Sequence, residues 1–375
     1  TFGFSPTPVY YHDGVLQSTT PTRDEGYTFL SGGDRLLTSV FGSRAGTDFL
    51  LGSEVGQNMA HTHEYVLWLT DQTSPTNNRP GIEANINAEY LLYQPTDQPT
   101  SGFLYDYGSA TGGTDAAAAY SVRQLSDKAV LCMRVRRDLG AGNPGTDDEI
   151  NIGFDANGDI DAQAISDFCR NGTGYVTRWW DQSTNGNHAD QPVGGTGSNT
   201  SQPVIYSGAK VITENGKPAL DFDGSNDYLQ LSNLGTVSAL SCFQVAKTIQ
   251  TQYGGVLHCT ANLNTMHQPL GTNLYDNLGT TGRVGPIAVG TDMESQYLYS
   301  TSSTGTKTVR LNGSQIHSSS QTVGIGTADH YIGLGYYTIS DFYKGNIQEV
   351  ILYASDQSGN FTGIETNING FFSIF

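Results

Sequence analysis

The chain is poor in the residues that announce most kinds of chemistry. It has only 4 cysteines, Cys132, Cys169, Cys242 and Cys259, in 375 residues, too few for a disulfide scaffold, and no two form a CxxC pair that would suggest structural zinc. Lysine and arginine together number 18 against 36 acidic residues, a net charge of −18. That balance repels phosphate backbones and anionic headgroups, so nucleic acid is not an expected partner. No stretch approaches the 18 or so apolar residues of a membrane-spanning helix. The amino terminus TFGFSPTPVYYHDG lacks the basic and apolar regions of a signal peptide, so a soluble chain without membrane insertion is expected. A Gly-rich phosphate loop, a Ser-His-Asp arrangement and a basic patch are also missing.

What the chain has is glycine (46), tyrosine (21) and many Ser, Thr and Asn, with only 14% charged residues. This composition favours many short strands joined by turns, and the fold class expected is mostly β with a few short helices. Residues 1–112 carry short β-like runs, at Tyr27–Leu30 and Glu64–Leu69, broken by Pro/Thr-rich segments. They read as a smaller N-terminal attachment or oligomerisation module, ending at the Gly108–Gly113 linker. Residues 113–375 read as a two-sheet sandwich.

Within that second region, Asp115 followed by an alanine run predicts a helix from Thr114 to about Leu125. A strand is expected at Ala129–Arg136, a short helix at Asp161–Cys169 and a strand at Tyr175–Trp180. The string LDFDGSNDYLQL (Leu220–Leu231) alternates apolar and polar residues around turn formers and predicts a hairpin with one buried face. Asn312-Gly313 within RLNGSQI predicts a second hairpin with a type I′ turn. Gly363–Phe372 predicts a helix burying Ile364 and Ile368. In WDQSTNGNHADQ (Trp180–Gln191) the polar run Asp181–His188 can either bond its own backbone or face a ligand, and self-capping is the commoner use of such residues.

The hairpin strings and the late strand Ile347–Tyr353 before a C-terminal helix resemble the concanavalin A-like, laminin-G-type jelly roll. More narrowly, AAAAYSVRQL, VLCMRVRR and DAQAISDFCRNGTGYVTRWWDQSTNGNHADQ are similar to the catalytic domain of family 54 α-L-arabinofuranosidases, a block also found in phage virion and tail fibre proteins. The resemblance covers about residues 114–373 and implies two catalytic carboxyl groups. For the nucleophile it implies Glu294, in Asp292-Met293-Glu294-Ser295. For the acid/base it points to the segment Gly333-Leu334-Gly335-Tyr336-Tyr337, where Tyr337 stands in place of the family's aspartate. Asp341 lies four residues further on. The family's adjacent cysteines have no counterpart.

Other candidates follow from the residues themselves. Asp155, Asn157, Asp159 and Asp161 have the alternation of a calcium loop, but Ile160 stands where that loop needs Gly and Ser166 where it needs Glu, so a turn and helix cap is favoured and calcium is the one cofactor considered. His61 and His63 share one face of an extended segment. Loop tyrosines at 253, 275, 336, 337 and 343 suit stacking on sugar rings. The glycan-binding candidates are Tyr336, Tyr337, Asp292, Glu294, Asn187 and His188. With the acid/base carboxylate missing, the expectation is a non-enzymatic phage virion protein: a homo-oligomeric tail fibre, tail-tip or capsid-decorating adhesin. It would join other virion proteins through residues 1–112 and bind host cell-surface glycan. The alternative is an arabinofuranosidase-type glycoside hydrolase with Glu294 as nucleophile.

Overall fold

The computed structural model describes residues 98–108, 116–139, 149–191, 201–232, 234–235, 237–249, 253–259, 266–325, 330–335 and 341–375, with shorter stretches between residues 9 and 95. The chain divides into two units, Thr1–Tyr93 and Gln94–Phe375, so the Gly108–Gly113 stretch expected as the boundary falls inside the second. In the first unit β1 (Val9–His12) pairs antiparallel with β2 (Val15–Leu16) and β3 (Leu37–Val40). The strands expected at Tyr27–Leu30 and Glu64–Leu69 and the His61/His63 pair lie outside the described residues.

The second unit begins with a helical turn, α1 (Phe103–Asp106), followed by β4 (Ala116–Ser121), β5 (Met133–Asp138) and β6 (Glu149–Ile152). Helix α2 (Ala162–Cys169), β7 (Thr173–Trp179) and β8 (Ala189–Asp190) come next. Short strands β9 (Val204–Ser207), β10 (Lys210–Val211), β11 (Thr213–Glu214) and β12 (Lys217–Pro218) lead to β13 (Leu220–Asp223) and β14 (Leu229–Leu231). Then follow β15 (Leu240–Thr248), β16 (Leu257–His258), β17 (His267–Leu270), β18 (Asn273–Asp276), β19 (Val284–Ala288) and β20 (Tyr297–Ser303). The chain closes with β21 (Thr306–Leu311), β22 (Ser314–Ser320), β23 (His330–Ile332), β24 (Lys344–Tyr353) and helix α3 (Phe361–Phe372).

The mostly-β expectation is met: the unit is an antiparallel β-sandwich of jelly-roll type. One sheet runs β6-β5-β7-β8-β14-β23-β16 and the other β4-β24-β15-β20-β21-β22, with β9 and β13 continuing the ladder from β7 to β24. The strands β17-β18-β19 form a separate small sheet. Between the layers Trp179, Tyr120, Tyr297, Tyr299, Phe222 and Phe243 are fully buried, each ring removing enough apolar surface from water to contribute roughly 1.5–3 kcal/mol. One buried ion pair sits among them: Lys307 Nζ lies 2.9 Å from Asp276 Oδ2, both side chains sealed from solvent, and the Tyr299 hydroxyl donates to the same carboxylate. All four cysteines are buried free thiols.

Several local expectations hold. Asp161 caps α2, its Oδ1 accepting from Ala164 N at 2.9 Å. Asn312 and Gly313 take φ of 48° and 76°, the left-handed pair a type I′ turn requires between β21 and β22. Ile364 and Ile368 of α3 are buried.

Two expectations are corrected. The alanine run is strand β4, not a helix. Ala116, Ala118, Ala119 and Tyr120 are buried, β24 pairs with one edge of the strand, and the other edge is bonded by the polar loop after Trp180. Helix propensity of a few tenths of a kcal/mol per residue yields to a backbone hydrogen-bonded on both sides. The LDFDGSNDYLQL string is not a hairpin either. β13 pairs with β24 and β9, whereas β14 pairs with β8 and β23. Its turn formers carry the chain from one part of the ladder to another, and alternation alone cannot say which neighbour a strand will choose.

Candidate active site

The fold uses two polar segments, the loop Asp181–His188 and the turn Thr291–Ser295, in different ways. In the first, every polar side chain has work inside the fold. The Asp181 carboxylate accepts from the backbone N–H groups of Ala119, Ser183 and Asn187 at 2.9 Å each. Gln182 accepts from Leu125 N and donates to the carbonyls of Ser121 and Arg123. Asn185 and Asn187 donate through Nδ2 to Ala116 O and Ala117 O. The loop thus takes the place of a neighbouring strand along β4. His188 Nδ1 accepts from Asp181 N at 3.2 Å, and its ring meets Trp180 edge-on at 4.6 Å. Burial first, then the Arg178 charge, pulls its pKa down to about 4, so His188 is a neutral acceptor at ordinary pH.

The calcium-like segment is similarly occupied. Asp155 Oδ1 accepts from Asn157 N and Asp159 N, Asp159 pairs with Lys217 Nζ at 3.0 Å, and Asp161 caps α2. Among the described residues no group of three or more His, Cys, Asp or Glu is placed to hold a metal ion.

The turn between β19 and β20 is different. Met293 is fully buried while Asp292 and Glu294 on either side are exposed. The turn is closed by Asp292 N to Val289 O and Glu294 N to Thr291 O. An apolar anchor between two acids points both carboxylates outward, and burying the methionine contributes roughly 1.5–3 kcal/mol to holding them there. Met293 O accepts from Thr248 N at 2.9 Å, and this bond joins the turn to a second cluster.

In that cluster Thr248 Oγ1 donates to Gln268 O at 2.7 Å and lies 3.1 Å from the Tyr343 hydroxyl, which in turn lies 3.5 Å from that of Tyr297. Burial pushes both phenols up, Tyr297 to about 12, so they stay neutral. Gln268 bonds Gly254 O through its N–H, Val256 N through Oε1 and Gln244 Oε1 through Nε2. Five chain segments are fastened here, at 248, 254, 268, 293 and 343. The approach is close: a Cβ on Gly254 would come within 2.5 Å of Phe342 O, and one on Gly335 within 2.4 Å of Met266 O. Only glycine fits at either place.

Beside this knot, a shallow depression large enough for little more than a water molecule is lined by Gly224, Tyr253, Gly254, Gln268, Phe342, Tyr343 and Lys344. Tyr253 is 61% exposed. His267, buried, is met edge-on by Tyr253 at 5.1 Å and by Tyr275 at 5.8 Å, and Arg283 lies over Tyr275 at 4.8 Å. Burial lowers the His267 pKa; the nearby Asp341 carboxylate opposes that shift and Arg283 adds to it. Asp341 O also accepts from Gly335 N at 2.8 Å. His267 and the exposed Tyr253 ring therefore lie against each other beside the knot, and Asp341 is joined to the same place through Gly335.

Of the residues expected to form a site, the structure ties the Asp292/Glu294 turn to this cluster and keeps Asn187 and His188 in the self-bonded loop. Tyr336 and Tyr337 lie outside the described residues. Tyr343 is buried and Tyr275 half-buried. His267 and Gln268 were not expected; the Gly254-Gly255 pair, demanding close backbone approach, was the available signal.

No family model and no curated protein matches the chain. Among solved structures it is similar to an arabinofuranosidase complexed with arabinofuranosyl-α-1,2-xylobiose, at 18% identity and TM-score 0.48, covering 68% of this chain and 62% of that one. A GH54 α-L-arabinofuranosidase soaked with a cyclic sulfate inhibitor gives 18%, TM-score 0.46 and the same coverages. Domain 4 of a GH43 extracellular arabinanase from Geobacillus stearothermophilus gives 17% and TM-score 0.33, over 46% of this chain and 82% of that domain. The chain thus spans less than two thirds of the length of the arabinofuranosidases, and the likeness is one of fold.

These structures come from glycoside hydrolases, and the expectation of a non-enzymatic phage virion adhesin is corrected on that finding.

Proposed function

We propose that the sandwich unit is a glycoside hydrolase of α-L-arabinofuranosidase type, with Glu294 as the nucleophile and Asp341 as the acid/base. The observation that carries this reading is the Thr248 N to Met293 O bond. Through it the exposed Glu294 turn and the Asp341/His267/Tyr253 cluster are built on the same knot of strands. Glu294 attacks the anomeric carbon while Asp341 protonates the departing oxygen; water then releases the sugar with Asp341 accepting its proton. Tyr253 offers an aromatic face to the sugar ring.

The test is hydrolysis of 4-nitrophenyl α-L-arabinofuranoside by the full chain, by Glu294→Gln and by Asp341→Asn. Turnover that falls to background in the first variant and by about 10²–10⁴ in the second is expected. Wild-type protein without turnover, or a fully active Glu294→Gln, overturns the reading.

A further inference from the structure

One row of residues crosses the sheet β6-β5-β7-β8-β14-β23-β16 from edge to edge in direct register. Asn151 faces Arg134, Arg134 faces Arg178, and Arg178 faces Asp190. Asp190 then faces Gln230, Gln230 faces Tyr331, and Tyr331 faces His258. Registered partners share a face of the sheet. Their neighbours along the strands, Met133, Trp179, Ala189, Leu229 and Ile332, are buried in the core, so the row lies on the opposite face, where only its end residue His258 is itself buried. Hydrogen bonds and rings link its members. Arg134 Nε donates to Asn151 Oδ1 at 3.0 Å, Arg178 holds Asp190 through two bonds, and the rings of Tyr331 and His258 are 6.4 Å apart.

We propose that this row is a binding track for an uncharged polysaccharide strand laid across the sheet and leading to the candidate active site. The proposal rests on the hydrolase reading for its direction but not for its binding chemistry. Four observations support it. The row holds two arginines and one aspartate, and the Arg178 and Asp190 side chains are 28% and 41% exposed, so a hydroxyl-rich ligand finds both donors and acceptors, whereas a polyanion meets Asp190 and a chain of net charge −18.

Trp180, one residue past β7, lies under both guanidinium groups, 5.5 Å from that of Arg134 and 4.7 Å from that of Arg178. It is only 5% exposed, and its Nε1 has no hydrogen-bond partner. A buried donor left open beside a polar face is a place for a ligand hydroxyl. Third, strands in a sheet stand about 4.7–4.9 Å apart, close to the rise of one sugar ring along an extended chain, so each strand meets a new ring. Finally, beside the His258 end of the row Val256 O accepts from Gly333 N at 2.8 Å, and two residues further on Gly335 N donates to Asp341 O at 2.8 Å. The track ends where the proposed acid/base begins.

The test measures retention of the full-length protein by soluble arabinoxylan, linear arabinan and polygalacturonate in affinity electrophoresis, alongside turnover of the aryl arabinofuranoside. Gln230→Ala and Arg178→Ala should each weaken retention by a neutral polymer about tenfold, and Trp180→Phe, which removes the indole donor together with part of the ring, should weaken it by several-fold. Aryl-glycoside turnover and the melting temperature should be unchanged in Gln230→Ala. A wild type that hydrolyses the aryl glycoside but is retained by neither neutral polymer refutes the track and leaves the hydrolase reading standing. Retention without turnover refutes the hydrolase reading alone. Retention unaltered in all three variants, or stronger on polygalacturonate, also overturns the track.

Discussion

The loop Asp181–His188 and the turn Thr291–Ser295 are both short, polar and acidic, yet the fold uses them in opposite ways. The Asp181 carboxylate is fully buried with three backbone N–H donors around it, and the loop serves as an edge for β4. Glu294 is exposed on a turn whose only buried side chain is Met293. A polar string is structural when its side chains answer orphaned backbone groups, and available for chemistry when an apolar residue does the anchoring.

The contrast can be broken most severely at Asp181. Asp181→Ala strands three buried N–H groups, each costing about 1–3 kcal/mol, so urea unfolding should show a loss of roughly 3–5 kcal/mol. A loss below 1 kcal/mol would mean the loop is not an edge for β4. Met293→Ala should come next, costing about 2–5 kcal/mol through the cavity it leaves and loosening Glu294, so turnover should fall along with stability. Glu294→Gln, by contrast, should shift the unfolding free energy by less than about 0.5 kcal/mol while abolishing turnover; that separation of stability from activity is what the comparison demands.

A subtler contrast concerns pH. Burial holds His188, His258 and His330 neutral down to about pH 4. Below pH 6.5 the unfolded chain takes up protons on these rings and the folded one does not, so their contribution to stability is lost as pH falls from 6.5 towards 4. Asp227, pushed up to about 7 mainly by burial, works the other way: the folded state keeps its proton where the unfolded state has lost it, and that contribution fades as pH rises from about 4 to 7. His330→Gln, which keeps an acceptor for Leu234 N, should reduce the acid-side loss measured by denaturation at pH 4.5 and 6.5. An unchanged difference between the two pH values would contradict the buried neutral assignment.

Local features were legible in the sequence when they were chemically self-contained. The Asn312-Gly313 turn, the Asp161 cap and the apolar stripe of α3 each need only neighbouring residues to specify them. The alanine strand was not legible, because its partners are β24, more than 200 residues away, and a loop more than 60 residues away. The same limit hid the choice of neighbours made by β13 and β14. For the site, Asp292 and Glu294 stood out as a pair. The convergence on Gln268, His267 and Asp341 joins segments from five places in the chain, and no spacing encodes that. Nor could alternation within single strands reveal the row from Asn151 to His258, which exists only once the register between strands is known.

The most direct measurement is to trap the sugar on the protein. The full chain is incubated with a mechanism-based arabinofuranoside inactivator that leaves a covalent glycosyl group on the nucleophile, and the protein is digested and mapped by mass spectrometry. A single adduct on Glu294, absent from Glu294→Gln, is the predicted result. An unlabelled protein, or an adduct on any other carboxylate, would contradict the assignment of the Thr291–Ser295 turn to catalysis.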